Sequence, residues 1–144
     1  MKIKRLSEYA VIPTQGTQFS AGYDLYFAAP KEETITIPPN ENRMIPTGWA
    51  FKIPKGGFGA IFARSGLAKK QSLRPANCVG VIDADYRGEV MVCLHNDSNL
   101  PQIVHGQERI AQLILIQHEP LTFKEVDELD PTDRSSGGFG STGI

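Results

Sequence analysis

The segment from Cys78 to Leu94, CVGVIDADYRGEVMVCL, limits the fold more than any other part of the chain. Two apolar runs, Cys78–Ile82 and Val90–Leu94, are rich in β-branched residues, which favour strands. Gly88 between them can adopt turn conformations that other residues resist. We therefore predict a β-hairpin whose polar tip carries Asp83, Asp85, Tyr86, Arg87 and Glu89.

The residues of this tip have the character of a reaction site. Asp83 directly follows an apolar run, and a carboxylate at the end of a buried strand is partly desolvated, so it can act as a base toward a bound water. Tyr86, three residues further on, could pack flat against a sugar or a base. The alternative is a solvated hairpin tip whose charges serve solubility, and the segment alone leaves both interpretations open.

The rest of the chain predicts an all-β fold in a single domain of 144 residues. Ten prolines, fourteen glycines, many short apolar runs and hardly any helical periodicity indicate a sandwich or barrel. Outside the hairpin, strands are predicted at 2–6, 34–37, 43–46, 47–53, 59–63, 109–117 and 121–126, with a short apolar run at 21–29 and a polar, turn-rich stretch at 13–19.

One helix is predicted at Gly66–Ser72, with Ser65 as its N-cap. The free N–H groups of its first turn, with Arg64 beside them, favour a phosphate or a carboxylate. The alternative is a plain capped surface turn. Asp24 lies within the apolar run at 21–29; if it is buried, it needs a partner such as an arginine, and otherwise it faces solvent from an edge strand.

Composition excludes several classes of function. A net charge of −1 gives no support for direct nucleic-acid binding. Cys78 and Cys93 are predicted to be small buried hydrophobes, with a disulfide as the less supported alternative. The three histidines match no metal-ligand spacing. We expect no signal peptide and no membrane span, and hence a cytoplasmic protein.

The C-terminal part divides into two pieces. Glu125–Asp133 contains five acids and no base, and is expected to stay extended. Arg134–Gly143, RSSGGFGSTG, is too rich in glycine and serine to form a core, so it is expected to be mobile when free. Its single arginine and single phenylalanine could serve a phosphate and a flat ring, whereas the alternative is a tail without function.

Five motifs together resemble those of the trimeric deoxyuridine triphosphatases (dUTPases), in the same order: AGYDLYFA at 21–28, ARSGLA at 63–68, NCVGVIDADYRGEV at 77–90, GQERIAQLIL at 106–115 and RSSGGFGSTG at 134–143. Ala63 stands where that family usually has proline, and Ser135 where it usually has glycine. The resemblance implies a distorted jelly-roll or β-barrel sandwich at 1–124, and a linker with a flexible arm at 125–144 that closes the active site.

The resemblance also implies an activity, namely hydrolysis of dUTP to dUMP and pyrophosphate by attack of water at the α-phosphorus. Such an enzyme limits uracil incorporation into DNA and supplies dUMP for thymidylate synthesis. It is a homotrimer with shared active sites, and Mg²⁺ is held through substrate phosphates and water. A dCTP deaminase-like enzyme and a dUTP-binding regulatory protein are the alternatives, and the complete fifth motif and the pairing of Asp83 with Tyr86 favour the hydrolase.

Residue roles follow from the same resemblance. Asp83 would orient and deprotonate the attacking water, and Tyr86 would pack under the deoxyribose. Asp24 would pair with Arg64 or hold a magnesium-bound water. The remaining substrate-binding residues would hold phosphates (Arg64, Ser65, Gly66, Gln112), read the uracil (Asn77, Gly80, Val81, Ile82, Met91) and close the site from the arm (Arg134, Phe139, Gly140, Ser141, Thr142).

Overall fold

The computed structural model describes residues 1–138 of the chain. In this part the chain forms twelve strands and one helix. The strands are β1 Lys2–Arg5, β2 Thr14–Gln15, β3 Tyr23–Tyr26, β4 Thr34–Ile37, β5 Asn42–Pro46, β6 Trp49–Lys52, β7 Gly57–Phe62, β8 Leu73–Pro75, β9 Gly80–Ile82, β10 Met91–Asn96, β11 Gln102–His105 and β12 Arg109–Gln117, and the helix is α1 Ser65–Gln71. The predicted all-β fold with one short helix is confirmed.

Four antiparallel sheets enclose the core. The largest has the strand order β2-β3-β12-β7-β9, and β12 lies at its centre. A three-stranded sheet has the order β5-β10-β8, and two further pairs are β1-β6 and β4-β11. Because β12 pairs with both β3 and β7, it brings the first, second and fourth sequence motifs side by side.

Strand periodicity explains how the core forms. Along β10 the residues Val92, Leu94 and Asn96 are buried, whereas the residues between them are partly or fully exposed. Each fully buried Val or Leu side chain stabilises the fold by roughly 1.5–3 kcal/mol. The buried Asn96 amide is satisfied, because its Nδ2 donates to the carbonyls of Ile37 at 2.9 Å and Leu100 at 2.8 Å.

The predicted hairpin at 78–94 is wrong in its pairing. Its two strands exist as β9 and β10, but β9 pairs with β7, whereas β10 lies between β5 and β8. The residues at 83–90 therefore connect two different sheets. Gly88 does not adopt a positive φ. An added Cβ there would lie 2.5 Å from the hydroxyl oxygen of Tyr86, so a larger residue would displace the ring from its present position.

Other local predictions also need correction. No strand forms at 121–126, and residues 118–138 contain neither helix nor strand. The helix begins at Ser65, and its N-cap is Arg64, which makes no side-chain capping bond. Cys78 is exposed and Cys93 is half-buried, both as free thiols, so the prediction of two buried cysteines is wrong for Cys78. The sequence also gave no separate prediction for β2, β8 and β11.

The strands at 34–37 and 109–117 have the predicted bounds, and six others, including the two predicted in the hairpin, agree to within a few residues. Within residues 1–138, no helix has the length and apolar character needed to cross a bilayer.

Candidate functional site

Asp24 and Arg64 form an ion pair at the centre of the first cleft. Asp24 is on β3 and only 8% exposed, so the predicted buried position with an arginine partner is confirmed. Arg64 Nε donates to Asp24 Oδ1 at 2.6 Å. Arg64 follows β7 and caps α1, so the paired strands β3, β12 and β7 place the two side chains together. The cleft of about 200 Å³ around them is lined by Gly16, Ser20, Gly22, Asp24, Arg64, Ser65, Arg109 and Gln112.

Arg109 is a second cation in this cleft and was missed at the sequence level. Its NH1 lies 3.4 Å from Asp24 Oδ2, and its side chain is 52% exposed. A β-bulge between Arg109 and Ala111 explains its orientation, because an ordinary strand would direct residues 109 and 112 to opposite faces. The sequence does contain a signal for Arg109 as a site residue, because it lies in the fourth motif, three residues before the predicted phosphate-binding residue Gln112.

One carboxylate therefore serves two guanidinium groups, and one positive charge remains for an anion from outside. Asp24 fixes the position of both arginines, and the exposed part of Arg109 keeps donors directed into the cleft. Arginine offers planar, bidentate donors that match phosphate and carboxylate oxygens. The cleft has the electrostatics of an anion-binding site.

Gln112 connects the motifs that surround the arginine pair. Its Nε2 donates to the carbonyl of Ala63 at 2.9 Å, directly before Arg64. An added Cβ on Gly22 would lie 2.3 Å from Gln112 Oε1, so a larger residue at this point of the first motif would displace the Gln112 amide. Because its Nε2 is held by the main chain, Gln112 is positioned at the cleft wall, where Oε1 remains available as an acceptor.

Ser65 and Gly66 are exposed at the beginning of α1, on the same side as Arg64. Gly66 and Arg64 also line a second depression of about 260 Å³, together with Lys70, Arg109 and one carboxylate, that of Glu108. The three predicted phosphate-binding residues of the second motif are thus next to one another and to Gln112. Lys70 adds a further positive charge to this surface.

A second cleft of about 250 Å³ lies in the segment that joins β9 to β10. Its lining includes Val81, Ile82, Asp83, Tyr86 and Met91, five of the predicted site residues, together with Met44, Glu89 and Val90. The anion cleft and this second cleft have no lining residue in common. In a single chain, the predicted phosphate-binding and nucleoside-binding residues therefore line two distinct clefts.

Local contacts hold the second cleft in shape. Tyr86 OH donates to the carbonyl of Glu89 at 3.0 Å, which folds the ring back over Gly88. Glu89 Oε1 accepts a hydrogen bond from Gly48 N at 2.8 Å, and Thr47 Oγ1 donates to the carbonyl of Val90 at 2.6 Å. The segment is thereby fastened to the turn between β5 and β6.

Asp83 itself is exposed in the single chain, which corrects the prediction of a partly desolvated carboxylate. Within residues 1–138 its side chain forms no hydrogen bond or ion pair. The predicted burial fails because β9 is an edge strand of its sheet, and the segment that follows it is open to solvent.

Asn77 and Gly80 lie at the beginning of β9, outside the lining of the second cleft. Asn77 is exposed, and its Nδ2 would lie 3.5 Å from a Cβ at Gly80. Arg74, three residues before Asn77, donates to Asp97 Oδ2 at 2.7 Å, and this hydrogen bond raises the pKa of Arg74 above its ordinary value. Arg74 NH1 also lies 3.3 Å from the carbonyl oxygen of Pro75 and 3.5 Å from that of Ala76.

The arm is described only in part. Arg134 Nε donates to the carbonyl of Gly137 at 3.0 Å, and both residues remain on the exposed arm. Ser135 has a φ of 43°, in the left-handed region where glycine has the advantage. The predicted residues Phe139, Gly140, Ser141 and Thr142 lie outside the described residues.

The side chains present do not form a protein-held metal site in the part that the structure describes. Residues 1–138 contain no group of three or more His, Cys, Asp or Glu side chains arranged to hold a metal ion. Both carboxylate oxygens of Asp24 are already paired with arginines. Of the two predicted roles of Asp24, the contact with Arg64 is the one that the structure contains.

The fold and the two clefts define an all-β protein with an arginine-lined anion cleft and a separate, carboxylate-bearing cleft beside an aromatic ring. The family model for dUTPase matches residues 8–143. The chain belongs to the dUTPase family, and the predicted resemblance is confirmed.

Relatives named deoxyuridine 5′-triphosphate nucleotidohydrolase cover nearly the whole chain. The protein from Maricaulis maris is 43% identical, and the match covers 99% of this chain and 95% of the relative. The protein from Arabidopsis thaliana is 47% identical, with 99% of this chain and 82% of the relative covered.

Solved structures of dUTPases share the fold, which confirms the predicted jelly-roll type. A variant of the Staphylococcus bacteriophage 80alpha dUTPase with dUpNHpp superposes with a TM-score of 0.88 at 28% identity, covering 99% of this chain and 98% of the other. A variant of the dUTPase from phage phi11 of S. aureus, described as coordinating a structural Mg(II) ion, gives 0.76 at 26% identity, covering 88% and 96%.

Proposed function

We propose that this protein hydrolyses dUTP to dUMP and pyrophosphate, with attack of water at the α-phosphorus. The observation that carries the proposal is the pair of arginines on Asp24, in a chain that also places Asp83 beside Tyr86. The reaction follows from family membership. In the proposed site, the anion cleft would be the phosphate half and the second cleft would be the nucleoside half.

In the phosphate half, Arg64, Ser65, Gly66 and Gln112 bind the triphosphate, and Arg109 supplies the uncompensated charge. Phosphoryl transfer depends mainly on positioning and on neutralising charge on the phosphate oxygens. Asp24 contributes without touching substrate, because it fixes both guanidinium groups before the ligand arrives. Preorganised donors of this kind are favourable because they do not have to reorient during the reaction.

In the nucleoside half, the segment after β9 reads the base and the sugar. Asn77 and the main chain of Gly80, Val81, Ile82 and Met91 contact the uracil. An unmatched buried polar group costs roughly 1–3 kcal/mol, which suffices to reject cytosine. Tyr86 packs under the deoxyribose, where a 2′-hydroxyl would collide with its ring.

Asp83 orients and deprotonates the attacking water. It is exposed in the single chain, so the desolvation that this chemistry needs comes from the bound nucleotide and from a second copy. The accompanying proposal is a homotrimer in which the phosphate half of one copy faces the nucleoside half of another. The separation of the two clefts within one chain supports this arrangement.

Mg²⁺ is proposed to arrive with the triphosphate, since that ion keeps most of its ligands as phosphate oxygens and water. Once bound, it would neutralise part of the phosphate charge. The paired state of Asp24 supports a substrate-borne ion over a protein-held one.

The arm, residues 125–144 in the proposed division of the chain, closes the site over the nucleotide. Arg134, Ser141 and Thr142 would contact the γ-phosphate, and Phe139 would cover the uracil, with Gly140 allowing close approach of the main chain. Residues 118–138 contain neither helix nor strand and are almost all exposed, which is compatible with an arm that reaches another copy.

A pyrophosphate-release assay across the deoxynucleoside triphosphates tests the proposal. We expect turnover with dUTP and about 10²-fold or more loss in kcat for Asp83→Asn, with dUTP binding nearly unchanged, because a positioned base contributes 10²–10⁴-fold. Activity of Asp83→Asn within a few-fold of the parent would refute the base assignment. Ammonia release from dCTP, or dUTP binding without turnover, would favour a deaminase or a regulatory protein instead.

A further inference from the structure

We propose that Arg74 is a positioning residue for base recognition, which holds the turn that presents Asn77 and thereby contributes to the choice of uracil over cytosine. The inference rests on the proposed function, because that function assigns Asn77 to the base. Arg74 lies outside all five motifs, between the second, at 63–68, and the third, at 77–90.

Asn77 is a central residue of a tight turn that follows β8. Cys78 N donates to the carbonyl of Pro75 at 3.1 Å, which closes a β-turn with Ala76 and Asn77 at its centre. Cys78 has a φ of 62°, and a non-glycine residue keeps such a left-handed conformation only where the surrounding contacts enforce it. The direction of the Asn77 side chain therefore depends on whatever holds this turn.

The side chain of Arg74 supplies contacts of this kind. Its NH1 lies 3.3 Å from the carbonyl oxygen of Pro75 and 3.5 Å from that of Ala76, so one charged donor is shared between two carbonyls of the turn. The carbonyl of Pro75 thus faces both the N–H of Cys78 and the guanidinium of Arg74. On the strand side, Ala76 N donates to the carbonyl of Cys93 at 2.8 Å.

Asp97 fixes the guanidinium that makes these contacts. Arg74 Nε donates to Asp97 Oδ2 at 2.7 Å and its NH2 donates to Oδ1 at 3.1 Å, a bidentate pair that sets the plane of the group. Asp97 is held in turn, because its N–H donates to the carbonyl of Ser72 at 3.0 Å and His95 Nε2 lies 3.3 Å from its Oδ1. With Nε and NH2 on Asp97, NH1 is directed at the turn.

His95 extends this network across the sheet β5-β10-β8. Its Nδ1 is 2.7 Å from Asn42 Oδ1, and its cross-strand partners are Asn42 on β5 and Arg74 on β8. His95 and Arg74 point away from the core, since the residues on either side of each are buried. Because β8 is the edge strand of this sheet, its outer side pairs with no strand of the described chain, and side-chain contacts hold the turn after it.

The exposure of the pair indicates a local role for it. The side chains of Arg74 and Asp97 are 39% and 44% exposed, and exposed ion pairs contribute little to the stability of the whole fold. Arg43 and Glu41 form a pair of similar exposure at 2.7 Å. Arg43 makes no hydrogen bond to the turn within residues 1–138, so its substitution is a matched control.

Amide hydrogen exchange measured by NMR tests the positioning independently of turnover. In Arg74→Gln we expect the amide of Cys78, which closes the turn, to exchange about fivefold faster than in the parent, because the turn opens more often. Arg43→Gln should leave that rate unchanged, and both variants should unfold at similar urea concentrations. An unchanged exchange rate at Cys78 in Arg74→Gln would overturn the proposal.

Base selection measures the consequence for recognition. We expect Arg74→Gln to raise KM for dUTP about fivefold with kcat within about twofold of the parent, because the turn contacts the base and not the reacting phosphorus. The ratio of kcat/KM for dUTP over dCTP should fall about fivefold as well. If exchange at Cys78 rises while KM and this ratio stay at parent values, Arg74 has no role in base recognition and the proposal is wrong.

Two further variants separate positioning from charge and from a direct effect. Arg74→Lys keeps the charge but has no fork to hold Asp97 and the turn together, so it should resemble Arg74→Gln; parent-like selection would contradict this geometry. Arg74→Gln/Asn77→Ala should lose about as much discrimination as Asn77→Ala alone, and fully additive losses would show that Arg74 does not act through Asn77.

A failure of the proposed function gives a different result from a failure of this inference. A parent protein that releases no pyrophosphate from dUTP would refute the proposed function, and with it the role of Asn77 in a hydrolase. The exchange rate at Cys78 needs no turnover, so it still decides whether Arg74 holds the turn.

Discussion

Asp24 shows how a single residue can organise a site that it does not complete. It is nearly buried, contacts two arginines and leaves one positive charge for a ligand. A buried carboxylate without partners would be costly, and two guanidinium groups without a carboxylate would repel each other. The cluster is therefore stable when empty and still attracts an anion.

Replacing Asp24 by Asn tests whether its charge positions the two arginines, because Asn keeps nearly the same side-chain shape. We expect kcat/KM for dUTP to fall at least tenfold and the free energy of unfolding to fall by about 1–3 kcal/mol, because both arginines lose a charged acceptor. Pyrophosphate release and urea denaturation would measure the two effects. Parent-like kcat/KM in a folded Asp24→Asn protein would show that the cluster does not position the arginines.

Tyr86 is the residue expected to distinguish dUTP from UTP. Tyr86→Ala should raise the ratio of kcat/KM for UTP over dUTP by about tenfold, because the 2′-hydroxyl no longer meets the ring. Tyr86→Phe is the matched control: it removes the hydrogen bond to Glu89 but keeps the ring, so discrimination should persist. If Tyr86→Ala leaves the ratio unaltered, sugar selection lies elsewhere.

At the scale of elements, the turn between β5 and β6 supports the second cleft. Gly48 has a φ of 71°, and its N–H donates to Glu89, which holds the segment after β9. An added Cβ there would lie 2.6 Å from Ala10 Cβ and 2.9 Å from Ala28 Cβ. Both the backbone conformation and the space require glycine.

Two glycine substitutions separate these requirements. Gly48→Ala should lower the free energy of unfolding by about 3 kcal/mol or more, since strain from positive φ and overpacking add. Gly56→Ala, at φ 79° but with open space around it, should cost only about 1–2 kcal/mol. Chemical denaturation measures both, and equal losses would show that the crowding at Gly48 relaxes without cost.

At the scale of the whole molecule, the separation of the two clefts has a direct consequence for assembly. If the phosphate half of one copy meets the nucleoside half of another, a defect in either half affects only the sites to which that half contributes. Equal amounts of Asp83→Asn and Arg64→Gln chains, refolded together, should then regain about a quarter of parent activity, the fraction of sites that receive two intact halves.

Each variant alone should be nearly inactive in the same pyrophosphate assay, and sedimentation should give three times the mass of the chain. Activity of the mixture no higher than the mean of the two variants would place the complete site within one chain and contradict the shared arrangement.

Local patterns predicted most of the strands, the short helix and the family motifs. The strands at 34–37 and 109–117 could be predicted because alternating apolar and polar residues and β-branched side chains are typical of a pleated, half-buried strand. The segment 121–126 has the same pattern but no partner strand in the described chain, so the pattern alone gave a wrong strand. Pairing of β9 with β10 was wrong for the related reason that neighbours in sequence need not be neighbours in a sheet.

The sequence by itself determined the β class, the family and the residue types of the site, because these depend on local periodicity and on motifs of adjacent residues. Only the tertiary structure decided which of those residues meet. The contacts of Asp24 with Arg64 and Arg109 join residues 40 and 85 positions away, and a single bulge in β12 decides that Arg109 reaches them. Such contacts follow from strand order and register, which arise from the packing of the whole chain and are absent from any one segment.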